Sequence, residues 1–328
     1  MAETMTHAWR RDLIRPRSRV ICDNDYCGDP DGVVQIAHHL LCASVDIRFV
    51  VSSAVGTHHP TWSDTCVERG VDVVRNVTAL AGRPEVPVLA GSNFPLTALD
   101  VPQVSPGAEA IIAEAMRDDT DLPLFVMCAG GLTTIASAFL MEPRIAERLT
   151  IVWNGGYPYS LERSQLNADV RYRETNINTD VLASQVVFNH SNLPMWQVPQ
   201  DVFQLAIVSR SEWIARVRPH GPLGEHLYNA IGARVDAWSA GLRMGETYGL
   251  GDCPLVLLTA LGGAYDPEPY TSSWITRPRP HIDDDCMYID AEGTPPIRVF
   301  TGIDVRLLFE DLYGKLVAHA NGWDSAER

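Results

Sequence analysis

Residues 18–41 read SRVICDNDYCGDPDGVVQIAHHLL. The apolar run Val20 to Cys22 has the character of a buried strand, and from Gly32 onward apolar residues recur at helical spacing. Between the two lie Asp23, Asp25, Asp29 and Asp31, with Gly28 and Pro30 interrupting regular structure. Two unit charges 4 Å apart repel by roughly 4 kcal/mol at an effective dielectric of 20. A folded site that gathers these carboxylates therefore needs protons, partners or a cation. Asp29 or Asp31 could cap the helix that begins near Gly32, but Asp23 and Asp25 follow an apolar strand end, where uncompensated charge is unfavourable. Hard oxygen donors indicate Mg²⁺ or Ca²⁺ in preference to zinc. An EF-hand is excluded, because counting from Asp23 its fifth position is Cys27 and its twelfth is Val34.

Outward from this stretch the same alternation continues. VDIRFVVSSAV, PVLAG, LPLFVMCA, LTIVWNGG and LPMWQVP read as buried strands. GVVQIAHHLL, DTCVERGVDVVRNVTALAG, GAEAIIAEAMR, LTTIASAFLMEPRIAERL and DVLASQVVFNH read as the helices between them. Strand–helix alternation of this kind predicts an α/β fold with an open, mostly parallel, doubly wound (Rossmann-like) sheet. From about Arg210 the chain turns mainly helical, and PIRVFTGIDVRLLFEDLYGKL closes it with a strand and a helix. No repeat or low-complexity linker interrupts the series. The expected organisation is an N-terminal extension (1–18), one domain (19–320) and a short tail (321–328).

Polar residues follow the strands. Thr57, His58 and His59 follow the second, Ala129-Gly130-Gly131 follow LPLFVMC, and Asn154-Gly155-Gly156 follow LTIVW. Ligands of open α/β sheets bind beyond the carboxyl ends of the strands, so these groups are expected to face one mouth. CAGGLTTIA matches neither GxGxxG nor GxxxxGK[ST], so dinucleotide and P-loop sites are not indicated. ETNINTD clusters Glu174, Asn176, Asn178 and Asp180 ahead of a helix, and N-capping by Asn178 or Thr179 would account for it. HIDDDCMYID around Asp284 reads as a solvated acidic loop. Trp153, Trp196 and Trp238 sit in apolar patterns and read as core, whereas Trp274 reads as exposed.

The chain carries 26 Lys plus Arg against 41 Asp plus Glu, a net charge of −15, which argues against nucleic acid or an anionic membrane as partner. Its seven cysteines contain no CxxC pair and read as reduced core thiols of a cytoplasmic protein, with neither a zinc site nor a disulfide. The N-terminus shows no apolar segment of the signal-peptide type, and no apolar run reaches the ~18 residues expected of a membrane span.

Several segments together resemble the nucleoside hydrolase family, the metal-dependent N-ribohydrolases of the inosine/uridine-preferring type. DNDYCGDPDG resembles the family's Asp-x-Asp-x-Gly-x-Asp-Asp loop, with Pro30 separating the last two acids. CAGGLTTIASAFLMEPRIAERLTIVWNGG (128–156) is similar to its Gly-x-Leu-Thr-Asn-Ile-Ala helix and the strand ending in Met-Gly-Gly. ETNINTDVLASQVVFNHSNLPMWQVPQDV (174–202) resembles its Glu-Phe-Asn-x-x-x-Asp segment. GLGDCPLVLL (249–258) is similar to its His-Asp-Pro element, and VFTGIDVRLLFEDL also fits. These matches occur in the family's order from about Arg19 to Leu316.

The resemblance implies the nucleoside hydrolase fold and cleavage of a nucleoside to base and ribose, with Ca²⁺ held by Asp25, Asp31, Asp252 and the carbonyl of Ala129. Asp25 would also be the base that takes a proton from the water Ca²⁺ activates. Asp29 would bind the ribose 2′-hydroxyl, Glu174 and Asn176 the other hydroxyls, with Asn154 and Asn167 as further candidates, and Asp23 would brace the loop from behind. Relatives of this kind are commonly dimers or tetramers, so a homo-oligomer is expected. An oxocarbenium-like sugar explains the carboxylates around it.

Three departures stand out. Pro30 leaves open which of Asp29 and Asp31 ligates the metal. Gly251 stands where many relatives place a histidine that protonates the leaving base, and Thr57 where an Asn is common. Leaving-group help must then come from elsewhere, with His58, His59 and Trp274 as candidates. A haloacid-dehalogenase-type phosphatase would also begin with a strand and Asp-x-Asp, but needs a Lys between its acidic motifs, and the only lysine, Lys315, follows them. A sugar- or nucleoside-binding protein that keeps the calcium cup without turnover is the other alternative.

Overall fold

A computed structural model describes residues 13–161, 173–263 and 271–323. In chain order its first half comprises β1 (Arg19–Asn24), α1 (Asp31–Leu40), β2 (Asp46–Ser52), α2 (Cys66–Leu80), β3 (Val88–Ala90), α3 (Pro106–Ala115), β4 (Leu124–Cys128), α4 (Thr133–Met141) and β5 (Leu149–Asn154). There follow α5 (Thr175–Thr179), α6 (Val181–Asn189), β6 (Met195–Val198), α7 (Gln200–Phe203), β7 (Ile207–Ser209), α8 (Arg210–Arg216), α9 (Gly221–Ser239), β8 (Thr247–Gly249) and α10 (Pro254–Ala260). The chain closes with β9 (Ser272–Pro278), β10 (His281–Ile282), β11 (Tyr288–Ile289), β12 (Pro296–Ile303) and α11 (Val305–Ala320).

β1 is buried at every position, as a central strand covered on both faces must be. Its side chains alternate between two cores. Val20 and Cys22 pack with Ile36, Leu257 and Leu312 on one face, while Ile21 packs with Ile111, Ile135 and Val186 on the other. The sheet order β3-β2-β1-β4-β5-β6-β12-β9 runs outward from β1 to β3 and then resumes at β4 on its other side. All pairings in it are parallel except β12 with β9. This is the doubly wound α/β sheet read from the alternation. Its topological switch point falls between β1 and β4, where a ligand crevice is expected.

Two expectations are corrected here. The stretch expected as one helix from Leu132 to Leu149 breaks: α4 stops at Met141, Glu142 leaves the helical region (φ −145°), and Pro143–Glu147 form a separate 3-10 turn. Pro143 cannot continue an α-helix, so the break falls just before it. The C-terminal third is less helical than its sequence suggests. β9 adds an antiparallel edge strand, and β7 with β8 and β10 with β11 form two small ribbons. These strands are two to seven residues long, too short for a clear period-two pattern. Among the described residues no helix is long and apolar enough to cross a membrane.

Candidate active site

At the switch point Asp23 is the last residue but one of β1. Its Oδ1 accepts from Ser53 Oγ, its main-chain oxygen accepts from Ala129 N at 3.0 Å, and burial pushes its carboxyl up to about 7. The next residue, Asn24, is fully buried. Its Oδ1 accepts from Asp25 N at 2.8 Å and its Nδ2 donates to Asp252 Oδ2 at 2.9 Å. Gly32 is required for this approach, because a Cβ there would stand 2.7 Å from Asn24 Nδ2. Asp252, which precedes α10, receives a second donor at Oδ1 from Asn154 Nδ2 at 2.9 Å. Neither asparagine role was apparent from sequence, where Asn24 was only the spacer between two acids.

The β1–α1 loop turns through Gly28 N donating to Asp25 O at 2.7 Å, and α1 then starts at Asp31 behind Pro30. Among the described residues no side chain caps α1, so the capping account of these aspartates does not hold. The two acids flanking Pro30 face different neighbours. Asp29 Oδ1 accepts from Tyr248 Oη, and its Oδ2 stands 3.6 Å from Arg234 Nε. Asp31 turns toward the α10 end, with its Oδ2 3.5 Å from where a Cβ on Gly251 would be. Burial first, and then repulsion among the acids, raises the carboxyls of Asp25 and Asp31 well above the usual range and Asp252 to about 8. Burial also raises Asp29, against the opposing pull of Tyr248 and Arg234.

These residues floor a cavity of about 710 Å³, which Asp25, Asp29, Asp31, Ala129, Asn154, Glu174, Asn176 and Asp252 all line. Asn176 Nδ2 donates to the carbonyl of Asn154 at 2.6 Å and reaches that of Ala129 at 3.5 Å. Glu174, not Asn178 or Thr179, caps α5, with Oε2 accepting from Ile177 N at 2.8 Å, and Asp180 caps α6. Asn167 lies outside the described residues.

The donor chemistry fits a hard divalent cation: three carboxylates and a main-chain carbonyl line one cavity, and burial with mutual repulsion pushes the carboxyls toward protonation. Their oxygens are spread more widely than a closed ligand cluster. The one trio among the described residues whose ligand atoms all lie within 4.8 Å of one another is His38, Cys42 and Asp311. There the Lys315 ammonium already sits on Asp311.

The leaving-group candidates separate. His59 lines the cavity, with Nδ1 2.8 Å from Thr61 Oγ1, and burial and then Arg234 hold its pKa down. His58 does not line it and turns its Nε2 to Asn178 Nδ2 at 3.1 Å. Trp274 is not at the cavity: it stands half-buried on edge strand β9, against Phe300 and with Arg298 Cζ 4.6 Å from its ring. Its polar neighbours in sequence suggested a surface residue, but β9 pairs with β12 and lays it on the core.

The far wall was not foreseen. Trp238, read as core, lines the cavity half-buried, with Arg234 Cζ 4.6 Å above its ring and Tyr248 stacked at 6.0 Å. The spacing of Arg234 and Trp238, four residues apart on α9, was the available signal for a shared face. The acidic loop at Asp284 is also more than a solvated loop: Gln185 donates to Asp284 at 2.9 Å, Arg173 pairs with Asp285 at 2.7 Å, and Cys286 is buried. The cysteine reading needs one correction, since Cys27 of the aspartate loop is joined to Cys66 at the start of α2. A separation of 39 residues with no paired motif gave no cue to that link. The other five cysteines are buried and outside any disulfide.

The α/β fold that forms this crevice is shared with solved nucleoside hydrolases. The structure titled "Purine-Preferring Ribonucleoside Hydrolase from Gardnerella vaginalis" matches with a TM-score of 0.72 at 19% identity, over 92% of this chain and 99% of that one. A plant nucleoside hydrolase, the PpNRh1 enzyme, matches with a TM-score of 0.70 at 16% identity, over 92% and 100%. In sequence, residues 20–305 match the family described as inosine-uridine preferring nucleoside hydrolase, and the chain belongs to that family. It is also 29% identical over 222 residues to an uncharacterized protein of Schizosaccharomyces pombe (strain 972 / ATCC 24843), and that match spans 61% of this chain and 64% of the relative.

Proposed function

We propose that this protein hydrolyses the N-glycosidic bond of a ribonucleoside, giving free base and ribose, with Ca²⁺ held by Asp25, Asp31, Asp252 and the carbonyl of Ala129. The observation that carries this reading is the convergence of the β1 loop and the start of α10 on the floor of one cavity. The positions of Asp29 and Asp31 support giving the sugar to the first and the metal to the second. Asp29 already accepts a hydroxyl hydrogen bond from Tyr248, whereas Asp31 stands beside Asp252, whose charge is among the causes of its raised pKa.

When bound, a divalent cation supplies Lewis acidity and offsets the repulsion among the acids. The chain's own residues do the rest. Asp25 accepts the proton of the attacking water. Asp29 takes the 2′-hydroxyl, and Glu174 and Asn176 take the others, so that carboxylates surround the sugar as positive charge develops on it. Asn24 and Asn154 hold Asp252 by both oxygens, and Asp23 fixes the strand end.

The test is release of free sugar from a panel of purine and pyrimidine nucleosides, with Ca²⁺ and after chelation, for the wild type and Asp25→Ala. Chelator-sensitive release that falls about 10²–10⁴-fold in the variant supports the reading. Calorimetric nucleoside binding without release would favour a binding protein instead, a reading to which Gly251 lends some support because it places no proton donor beside the cup.

A further inference from the structure

Away from the cavity, two helices bring four reactive groups together. His38 and Cys42, four residues apart at the end of α1, meet Asp311 and Lys315, four apart on α11. His38 Nε2 lies 2.8 Å from Asp311 Oδ2, and the Lys315 ammonium donates to that same oxygen. Cys42 Sγ donates to His38 O at 3.3 Å and accepts a hydrogen bond from Lys315. The thiol hydrogen thus points back along α1, and the sulfur lone pairs face the amine.

His38 and Cys42 are fully buried, whereas the side chains of Asp311 and Lys315 are 26% and 20% exposed. The cluster is closed on the α1 side and reaches solvent along α11, wide enough for a small oxidant. A divalent metal on His38, Cys42 and Asp311 would stand against the ammonium that Asp311 already holds. The amine itself is the unusual group, because Lys315 is the only lysine of the chain. An arginine would pair with Asp311 equally well, but it stays protonated, whereas a lysine can shed a proton and become a nucleophile.

We propose that Cys42 and Lys315 form a redox modification site at which hydrogen peroxide joins the two side chains covalently. Thiolates attack peroxide, and an adjacent ammonium is one of the settings that favours them. The sulfur attacks one peroxide oxygen, the O–O bond breaks, and the other oxygen leaves as water with the thiol proton. Sulfur, oxidised by two electrons, is then a sulfenic acid, a species that condenses with nitrogen. Lys315 passes one proton to Asp311 and its nitrogen attacks sulfur. The S–N bond forms, the S–O bond breaks, and a second water leaves with the other nitrogen proton. The bond fastens the end of α1, whose first residue is Asp31, to α11, and a thiol reductant reopens it. None of the four groups lines the cavity, so the site stands whether or not the hydrolase reading does.

The test treats the full-length protein with hydrogen peroxide, blocks the remaining thiols, digests it without reductant and weighs the peptides. Wild type should give the Cys42 and Lys315 peptides joined, with two hydrogens lost, and dithiothreitol should separate them. Lys315→Arg should instead carry sulfinic acid at Cys42, because no amine traps its sulfenic acid, and Cys42→Ser should give no link to the Lys315 peptide. Wild-type Cys42 recovered unmodified, or as sulfinic acid to the extent seen in Lys315→Arg, overturns the site. A joined species that retains an extra oxygen overturns the direct S–N bond.

Discussion

Asn24 donates its Nδ2 to Oδ2 of Asp252 at 2.9 Å, joining residues 228 positions apart in the chain. The same side chain accepts from the Asp25 amide, so a single buried amide sets the relative position of two proposed metal ligands. Outer partners of this kind commonly change metal affinity about 10- to 100-fold when removed. Asn24→Ala is expected to weaken Ca²⁺ binding by that order in calorimetric titration, with most sugar release recovered at saturating Ca²⁺. An unchanged Ca²⁺ affinity would show that Asn24 has no such role.

Protonation gives the second prediction. Asp23 and Asp252 carry folded-state pKa values near 7 and 8 against 3.8 unfolded. Between those limits the folded protein binds protons the unfolded chain does not, so these groups contribute stability that falls as pH rises through that window. Chelated protein should therefore lose stability from about pH 4 toward pH 8 through this cluster. Calcium competes with those protons, so the stabilisation it gives should grow over the same range, reaching about 4 kcal/mol at a thousandfold excess over Kd. A calcium increment independent of pH in thermal melts would contradict proton–metal competition at these carboxylates.

The third concerns the Cys27–Cys66 link, which ties the aspartate loop to α2. Loop-closure entropy puts a tether of this span at about 4 kcal/mol. Reductant should lower the Tm of wild type but not of Cys66→Ser, and should weaken Ca²⁺ binding in wild type alone. Identical melts with and without reductant would remove the link from the account.

What the sequence disclosed followed the strength of its periodicities. β1 and its acids, the GG turn before α4 and the strand ending at Asn154 could be placed because an apolar run next to glycine or aspartate is a local signal. Cavity-lining Glu174, Asn176 and Asp252 came through resemblance, since nothing local distinguishes a sugar ligand from a cap. Arg234, Trp238 and Tyr248 were hidden because the β7–β8 ribbon, with strands of three residues each, folds Tyr248 back toward α9. That is a tertiary event without a sequence period. Trp274 went astray for the same reason in reverse, because its strand partner lies more than twenty residues downstream.

The floor of the cavity belongs to the sheet, fastened where Ala129 N meets Asp23 O, whereas its far wall comes from α9 and the β7–β8 ribbon. The two can drift at different speeds. Substitutions along residues 207–249 can retune which base is accepted without disturbing the strands that hold the acids, so descendants of one catalytic floor could come to serve different diets of nucleosides.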